Sequence, residues 1–241
     1  MQSATPSSAF FEGMRASAPF LIVVGPFALV FGVVATEAGL DLAQVMSLSV
    51  TVFAGAAQLT ALQLMREEAP ALVVLASSLA VNLRMAMYSA SIAPYIGGAP
   101  LWQRVLSGYL LVDQSYAISH ARFEAEPQMP LPRRMAFFFG TMSLIAPLWY
   151  AATLAGALAG QGIPEGLALD FAVPITFIAL IAPGLRTLAH LAAAATAILL
   201  GLALAGLPYG TGLLVAGLVA MIVGAEIERR GLAIPVQRQA P

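Results

Sequence analysis

Between residues 18 and 227 the chain is a succession of apolar stretches, most close to twenty residues long and nearly free of charge. A helix needs about 20 apolar residues to cross the hydrocarbon core of a bilayer. Within that core only helices or closed barrels satisfy the backbone's own polar groups. The pattern predicts an all-α integral membrane protein, a polytopic bundle. Eight stretches can be drawn, at 18–38, 44–65, 71–93, 104–120, 135–160, 167–183, 188–207 and 211–227. The fourth and sixth are short and the sixth contains Pro174, so each is a tilted span or a broken or re-entrant piece, and seven spans is the alternative count. The longest connection, at 120–134, leaves four stretches on either side, as in carriers built by duplication. The matching pieces, GLDLAQVMSLSVTVFAG at 39–55 and GIPEGLALDFAVPITFIAL at 162–180, are only faintly alike.

Composition excludes several classes. Only 10% of residues are charged, where a soluble domain carries roughly 25%. Lysine is absent, so the eleven basic residues are all arginine, against twelve acids. No basic surface exists to neutralise phosphates, which excludes nucleic acid as a partner. With no cysteine there is no disulfide or thiolate site, and nothing in the sequence calls for a metal or cofactor. Residues 1–17 lack the basic start and apolar core of a signal peptide and are expected to form a cytoplasmic tail. Residues 18–227 form a single transmembrane domain on this scheme, and 228–241 a second cytoplasmic tail.

Arginines accumulate in cytoplasmic loops. With eight spans and the N-terminus inside, Arg15, Arg66, Arg122, Arg133, Arg134, Arg186, Arg229, Arg230 and Arg238 fall on the cytoplasmic side, Arg104 falls outside, and Arg84 lies within a span. The expected location is a bacterial inner membrane with both termini cytoplasmic.

Function is sought where polarity is costly, since a charge at the bilayer centre costs from ~3 to over 10 kcal/mol depending on method. Arg84 lies near the middle of the third stretch and Asp113 near the middle of the fourth, so an ion pair at mid-depth is expected, either buried structure or part of a solute or proton path. Tyr109, Asp113, Tyr116 and His120 stand at helical spacing and predict one polar stripe. On the third stretch Ser77, Arg84, Tyr88 and Ser91 share one face, with Ser78, Asn82 and Ser89 on another. On the second, Ser47, Thr51, Gly55 and Gln58 share a face, where Gly55 permits close approach. Serines and Thr51 are read as interhelical hydrogen-bonding groups; Gln58, Asn82, Arg84 and Asp113 are the candidates for solute contact. Helix breaks are expected at Gly25–Pro26, Pro147 and Pro174, and the glycines at 156, 160, 210, 212, 217 and 224 are expected to let helices pack closely. His190 is read as an interfacial histidine.

The runs FEGMRASAPFLIVVGPFALVFGVVA, MSLSVTVFAGAAQLTAL and VNLRMAMYSASIAP, followed by a stretch with an aspartate, resemble the AzlC family of branched-chain amino acid exporters. The similarity runs from about residue 10 to about residue 230, with FAGAAQ at 53–58 and Asn82–Leu83–Arg84 its specific pieces. The resemblance implies a permease for branched-chain and similar apolar amino acids, usually exporting them, driven by the proton motive force, and assisted by a small membrane partner of the AzlD type. Met85 stands where many relatives have a histidine, so no proton-relay role is implied there.

On these expectations Arg84 receives a substrate carboxylate by a bidentate contact and Asp113 its ammonium, with Tyr88 and Tyr116 beside them. Gln58 and Asn82 add neutral hydrogen bonds, and Phe53, Met85 and Met87 shape the apolar part of the pocket. Asp113 doubles as proton carrier. A channel for a small polar solute, or a membrane subunit of a larger complex, is the alternative. No catalytic constellation is found, so an enzyme is not expected.

Overall fold

The computed structural model describes residues 5–160, 185, 187–207 and 211–231. Ten α-helices lie among the described residues: α1 (Pro6–Ser17), α2 (Leu21–Glu37), α3 (Leu42–Thr51), α4 (Gly55–Arg66), α5 (Ala71–Ile96), α6 (Leu101–Tyr109), α7 (Asp113–Ala125), α8 (Leu131–Gly160), α9 (Leu188–Ala203) and α10 (Thr211–Arg229). The continuous rod Pro6–Glu37, α5, α8 and α10 are long and apolar enough to cross a membrane. The all-α membrane class is as expected, and among the described residues four of the eight expected stretches form helices of spanning length. The second and fourth stretches are each two short helices, and the seventh is the sixteen-residue α9. The sixth, with Pro174, lies outside the described residues, as do Arg186, Arg238 and the second piece of the faint repeat.

The chain divides into two compact units, residues 1–62 with 81–168, and residues 63–80 with 169–241. In the second, α9 and α10 pack antiparallel: a Cβ on Gly224 would lie 3.2 Å from Ala193 Cβ, and one on Gly212 2.8 Å from Leu204 Cβ. A Cβ on Gly217 would meet nothing within 4 Å among the described residues, and Gly210 lies outside them.

In the first unit the expected tail is helical. Thr5 caps α1, its hydroxyl accepting from Ser8 N, and Pro6 fills the first turn, where a missing N–H costs nothing. A 3-10 turn at Ala18–Phe20 carries α1 into α2. This rod lies along α8 at the separation only glycine permits. A Cβ on Gly13 would overlap Phe137 O, one on Gly140 would overlap Phe10 O, one on Gly32 would overlap Thr153 O, and one on Gly156 would overlap Leu29 O. Two reciprocal glycine contacts thus lock the rod to α8, the close packing that replaces hydrophobic driving force in lipid. Residues 10–13 sit at the level of 137–141 and residues 29–32 at that of 153–156, so the rod and α8 run parallel.

Contacts also orient the remaining helices. Arg84 of α5 meets Asp113, Tyr88 stacks on Tyr116, and Tyr95 lies against His120 and Phe123, so α5 and α7 are parallel. Arg134, in the first turn of α8, donates to Tyr95 O at 3.0 Å, and Phe123 packs on Phe137 at 6.2 Å. Both α5 and α7 therefore point towards the end where α8 starts, called here the near end. A chain that descends in α5 and again in α7 must climb between them. Helices α6 and α7 thus form a re-entrant hairpin from the near end, its tip at residues 110–112, and the re-entrant alternative for the fourth stretch is the one realised.

The second stretch behaves alike from the far end. Gly39, at φ +89°, ends α2 in the left-handed conformation glycine adopts freely. Asp41 then caps α3 in a reciprocal box with Gln44, with bonds of 2.8 and 2.9 Å. Gln58 of α4 donates through Nε2 to Leu48 O at 3.1 Å and Val52 O at 2.6 Å. In a continuous helix residues 48 and 58 stand about 15 Å apart, beyond a glutamine's reach, so α4 folds back beside α3. Span plus hairpin (α2 with α3–α4) is then followed by span plus hairpin in the opposite direction (α5 with α6–α7), the inverted arrangement known from transporters.

The arginine split changes accordingly. Arg104, near the start of α6, joins Arg15, Arg122, Arg133 and Arg134 at the near end, while Arg66 ends the returning α4. The breaks expected at Pro26 and Pro147 do not form, and Pro174 lies outside the described residues. Helix α2 continues through Pro26 and α8 through Pro147, whereas the two tips contain no proline.

Candidate functional site

The two tips meet half-way along α8. Tyr109, the last residue of α6, donates its hydroxyl to Val50 O of α3 at 2.7 Å and pairs with the Tyr150 hydroxyl of α8 at 2.6 Å. Phe53, at the other tip, lies 6.0 Å from Tyr109, 5.7 Å from Trp149 and 5.6 Å from Tyr150, ring centre to ring centre. Trp149 is fixed by donating to Ser49 Oγ at 2.9 Å. A Cβ on Gly55 would overlap the Phe27 ring and come within 2.6 Å of Trp149 Cη2, so Gly55 admits these rings at the tip.

Each tip is closed by a polar side chain just beyond it. Gln58 is wholly buried and gives a second hydrogen bond to Leu48 O and Val52 O, carbonyls at the end of α3 that each also accept a backbone N–H. Ser115, also wholly buried, accepts from Val112 N at 2.9 Å and lies 2.9 Å from Leu110 O. Ser115 was not a sequence candidate; a polar residue three or four positions past an apolar break is the signal that identifies both.

Asp113 is the first residue of α7, where the positive end of the helix dipole favours a carboxylate. Its Oδ2 lies 3.1 Å from Arg84 Nη1, the side chains 36% and 32% exposed. Arg84 stands eleven residues before Tyr95 on a descending helix, about 16 Å above the near end, so the pair is at mid-depth as expected. Arg84 Nε and Asp113 Oδ1 are buried with no hydrogen-bond partner among the described residues. The Tyr88 hydroxyl faces Asp113, and Tyr88 stacks on Tyr116 at 4.2 Å and 10°. Tyr116 donates to Ser91 Oγ at 3.0 Å.

Of the sequence candidates, Arg84, Asp113, Tyr88 and Tyr116 come together. Gln58 and Gly55 belong to the opposite tip, and Gln58 closes the α3–α4 reversal while its Oε1 is left without a partner among the described residues. Asn82 shares α5 with Arg84, and its Oδ1 is likewise buried and without a partner among the described residues. The expected stripe is cut in two: Tyr109 turns to the α3 tip, whereas Asp113, Tyr116 and His120 continue along α7. Likewise Thr51 ends α3 before the break, so the expected face shared with Gln58 is divided. Met87 is 62% exposed and Phe53 is packed among aromatic rings, so neither shapes a pocket at the pair. No group of three or more histidines and acids able to hold a metal occurs among the described residues.

At the near end Arg122 bridges Glu12 at 3.1 Å and Glu126 at 3.0 Å, and Arg133 bridges Glu126 at 3.3 Å. Arg134 lies 5.4 Å over the Tyr95 ring. These side chains tie α1, α7 and α8 together.

Fold and geometry define a polytopic helical membrane protein with a charged pair at the junction of opposed re-entrant hairpins. The chain belongs to the AzlC family, matching the AzlC protein over residues 19–163, a stretch that holds both hairpins and the pair. It is 27% identical over 190 residues to an uncharacterized membrane protein of Archaeoglobus fulgidus, covering 77% of this chain and 80% of that protein. It is 25% identical over 190 residues to the inner membrane protein YgaZ of Escherichia coli K12, covering 74% and 76%. No solved structure matches it.

Proposed function

We propose that this chain is a permease, not an enzyme, that exports branched-chain or similarly apolar amino acids across a bacterial inner membrane at the expense of the proton motive force. One observation carries this: Arg84 and Asp113 pair at mid-depth, one-third exposed, where two hairpins entering from opposite faces meet. An amino-acid zwitterion presents the complementary pair of charges. It replaces one internal ion pair with two, its carboxylate on Arg84 and its ammonium on Asp113, without leaving either charge alone in a low-dielectric site. Membership of the AzlC family supports membrane transport, and the inner-membrane relative supports the location. The near end is the cytoplasmic side, since Arg15, Arg104, Arg122, Arg133 and Arg134 gather there. A proton on Asp113 competes with the substrate ammonium, which gives antiport. A small AzlD-type membrane protein is the expected partner.

The test is transport of labelled leucine by vesicles containing the protein, with and without a co-expressed small partner, under an imposed pH gradient. Gradient-driven flux in the wild type that is lost in Asp113→Asn is expected. Flux no greater than in protein-free vesicles removes leucine transport, and flux unaffected by the substitution removes Asp113 from the coupling path.

A further inference from the structure

The two span-plus-hairpin segments, α2–α4 and α5–α7, keep one register. Glu37 and Ile96 end the spans, Leu42 and Leu101 open the hairpins, and Arg66 and Ala125 close them, each pair fifty-nine residues apart. This register sets Gln63 and Glu67 at the end of α4 against Arg122 and Glu126 at the end of α7. The likeness extends to the bonds: Gln63 Nε2 donates to Glu67 Oε1 at 2.8 Å, and Arg122 Nη2 lies 3.0 Å from Glu126 Oε2. Beyond that the two ends differ. The side chains of Gln63 and Glu67 are exposed and bond only to one another among the described residues. Arg122 also reaches Glu12 of α1 at 3.1 Å, and Glu126 also takes Arg133 of α8 at 3.3 Å. This ionic layer lies over an apolar one. Arg122 stands 6.0 Å from the centre of the Phe137 ring, and Arg134 5.9 Å from that of Phe123. Beside these rings, Ala9 of α1, Ile92 and Ile96 of α5 and Phe138 of α8 complete a buried cluster. Both layers lie between the Arg84–Asp113 pair and the near end.

The helices around these layers are not held alike. Helix α1 lies against α8 at Gly13 and Gly140, where backbone meets backbone with no room for a side chain. Helix α7 has no glycine and is held to α1 and α8 through side chains: Arg122 on Glu12, Glu126 on Arg133, and Phe123 on Phe137. We infer that these contacts are the near-side gate of the protein. Arg122 releases Glu12, Glu126 releases Arg133, and α7 parts from the fixed α1–α8 wall, which opens Arg84 and Asp113 to solute from the near side. The gate rests on the permease proposed above and supplies its loading step. Its charged side chains are 16–39% exposed, so water takes up each charge as its bond parts, and opening strands no ion in a dry site. The end of α4 carries no such bridge at the equivalent positions, so the state seen here is the one latched on the near side.

The test exploits the absence of cysteine from the chain. Ser91→Cys, on α5 between the ion pair and the near end, reports access to the seam. Its rate of modification by an impermeant thiol reagent applied from the near side is measured in vesicles holding the full chain. Adding Glu12→Ala or Arg122→Ala is expected to raise that rate at least tenfold. Gln63→Ala, at the equivalent position of α4, is expected to leave it within twofold. A rate unchanged in both Glu12→Ala and Arg122→Ala overturns the gate, and so does a rise of equal size in Gln63→Ala, which marks general loosening. If Arg122→Ala does not fold, Glu12→Ala, at a side chain 39% exposed, decides alone. Modification needs no transport, so the expected pattern in a protein that carries no leucine upholds the gate and overturns only the permease.

Discussion

Exchanging the two charges, Arg84→Asp with Asp113→Arg, separates a structural ion pair from a working one. At about 4 Å two unit charges attract by ~1 kcal/mol in water and ~4 kcal/mol at the effective dielectric near a protein surface. Side chains one-third exposed fall between those limits. Each single charge reversal removes that attraction and sets two like charges face to face, so it is expected to cost ~2–8 kcal/mol, or roughly 4–32 °C of melting temperature for a chain this size. The double exchange restores the attraction but not the setting, because position 113 opens α7 and a cation there opposes the helix dipole by ~0.3–1 kcal/mol. Thermal unfolding in detergent should therefore show the exchange recovering most of the stability lost in the singles. Leucine flux in vesicles should remain at background, since the carboxylate and ammonium sites have changed places relative to the apolar side of the substrate. An exchanged variant that transports like the wild type would refute the assignment of roles.

Three further outcomes follow from the hairpins and their packing. The chain has no cysteine, so single substitutions can be labelled cleanly: Arg104→Cys and Arg122→Cys should react with an impermeant thiol reagent from one side and Leu40→Cys from the other, whereas four full crossings before residue 122 would put Arg104 with Leu40. Gln58→Leu removes two hydrogen bonds whose carbonyls each keep a backbone partner, so the net cost is ~1–3 kcal/mol, and a melting temperature unchanged from wild type would deny Gln58 its closing role. Gly156→Val places side-chain atoms where Leu29 O now lies and should abolish monodisperse protein in size-exclusion chromatography; a stable, well-behaved variant would contradict the close contact of α2 with α8.

The depth and pairing of Arg84 and Asp113 were legible because a charge in the middle of an apolar stretch has few ways to be accommodated. The hairpins were not. A twenty-residue apolar stretch has the same composition whether it crosses once or goes half-way and returns, and the residues at 52–54 and 110–112 are apolar like their neighbours. Proline misled in the other direction, since Pro26 and Pro147 sit inside helices that run on through them. The polar stripe from Tyr109 to His120 looked continuous only because helical spacing was assumed across the break at 110–112. Likewise Gln58 read as a solute ligand, because sequence shows that a polar group is buried but not which backbone carbonyls it serves.

Each hairpin is rooted in one face of the membrane and touches the other mainly at its tip, through the Tyr109 hydroxyl on Val50 O and the ring of Phe53. Separating them requires no helix to be drawn through lipid and no apolar span to be exposed to water. The barrier across the bilayer is therefore about as thick as two side chains, and its strength is that of a clasp.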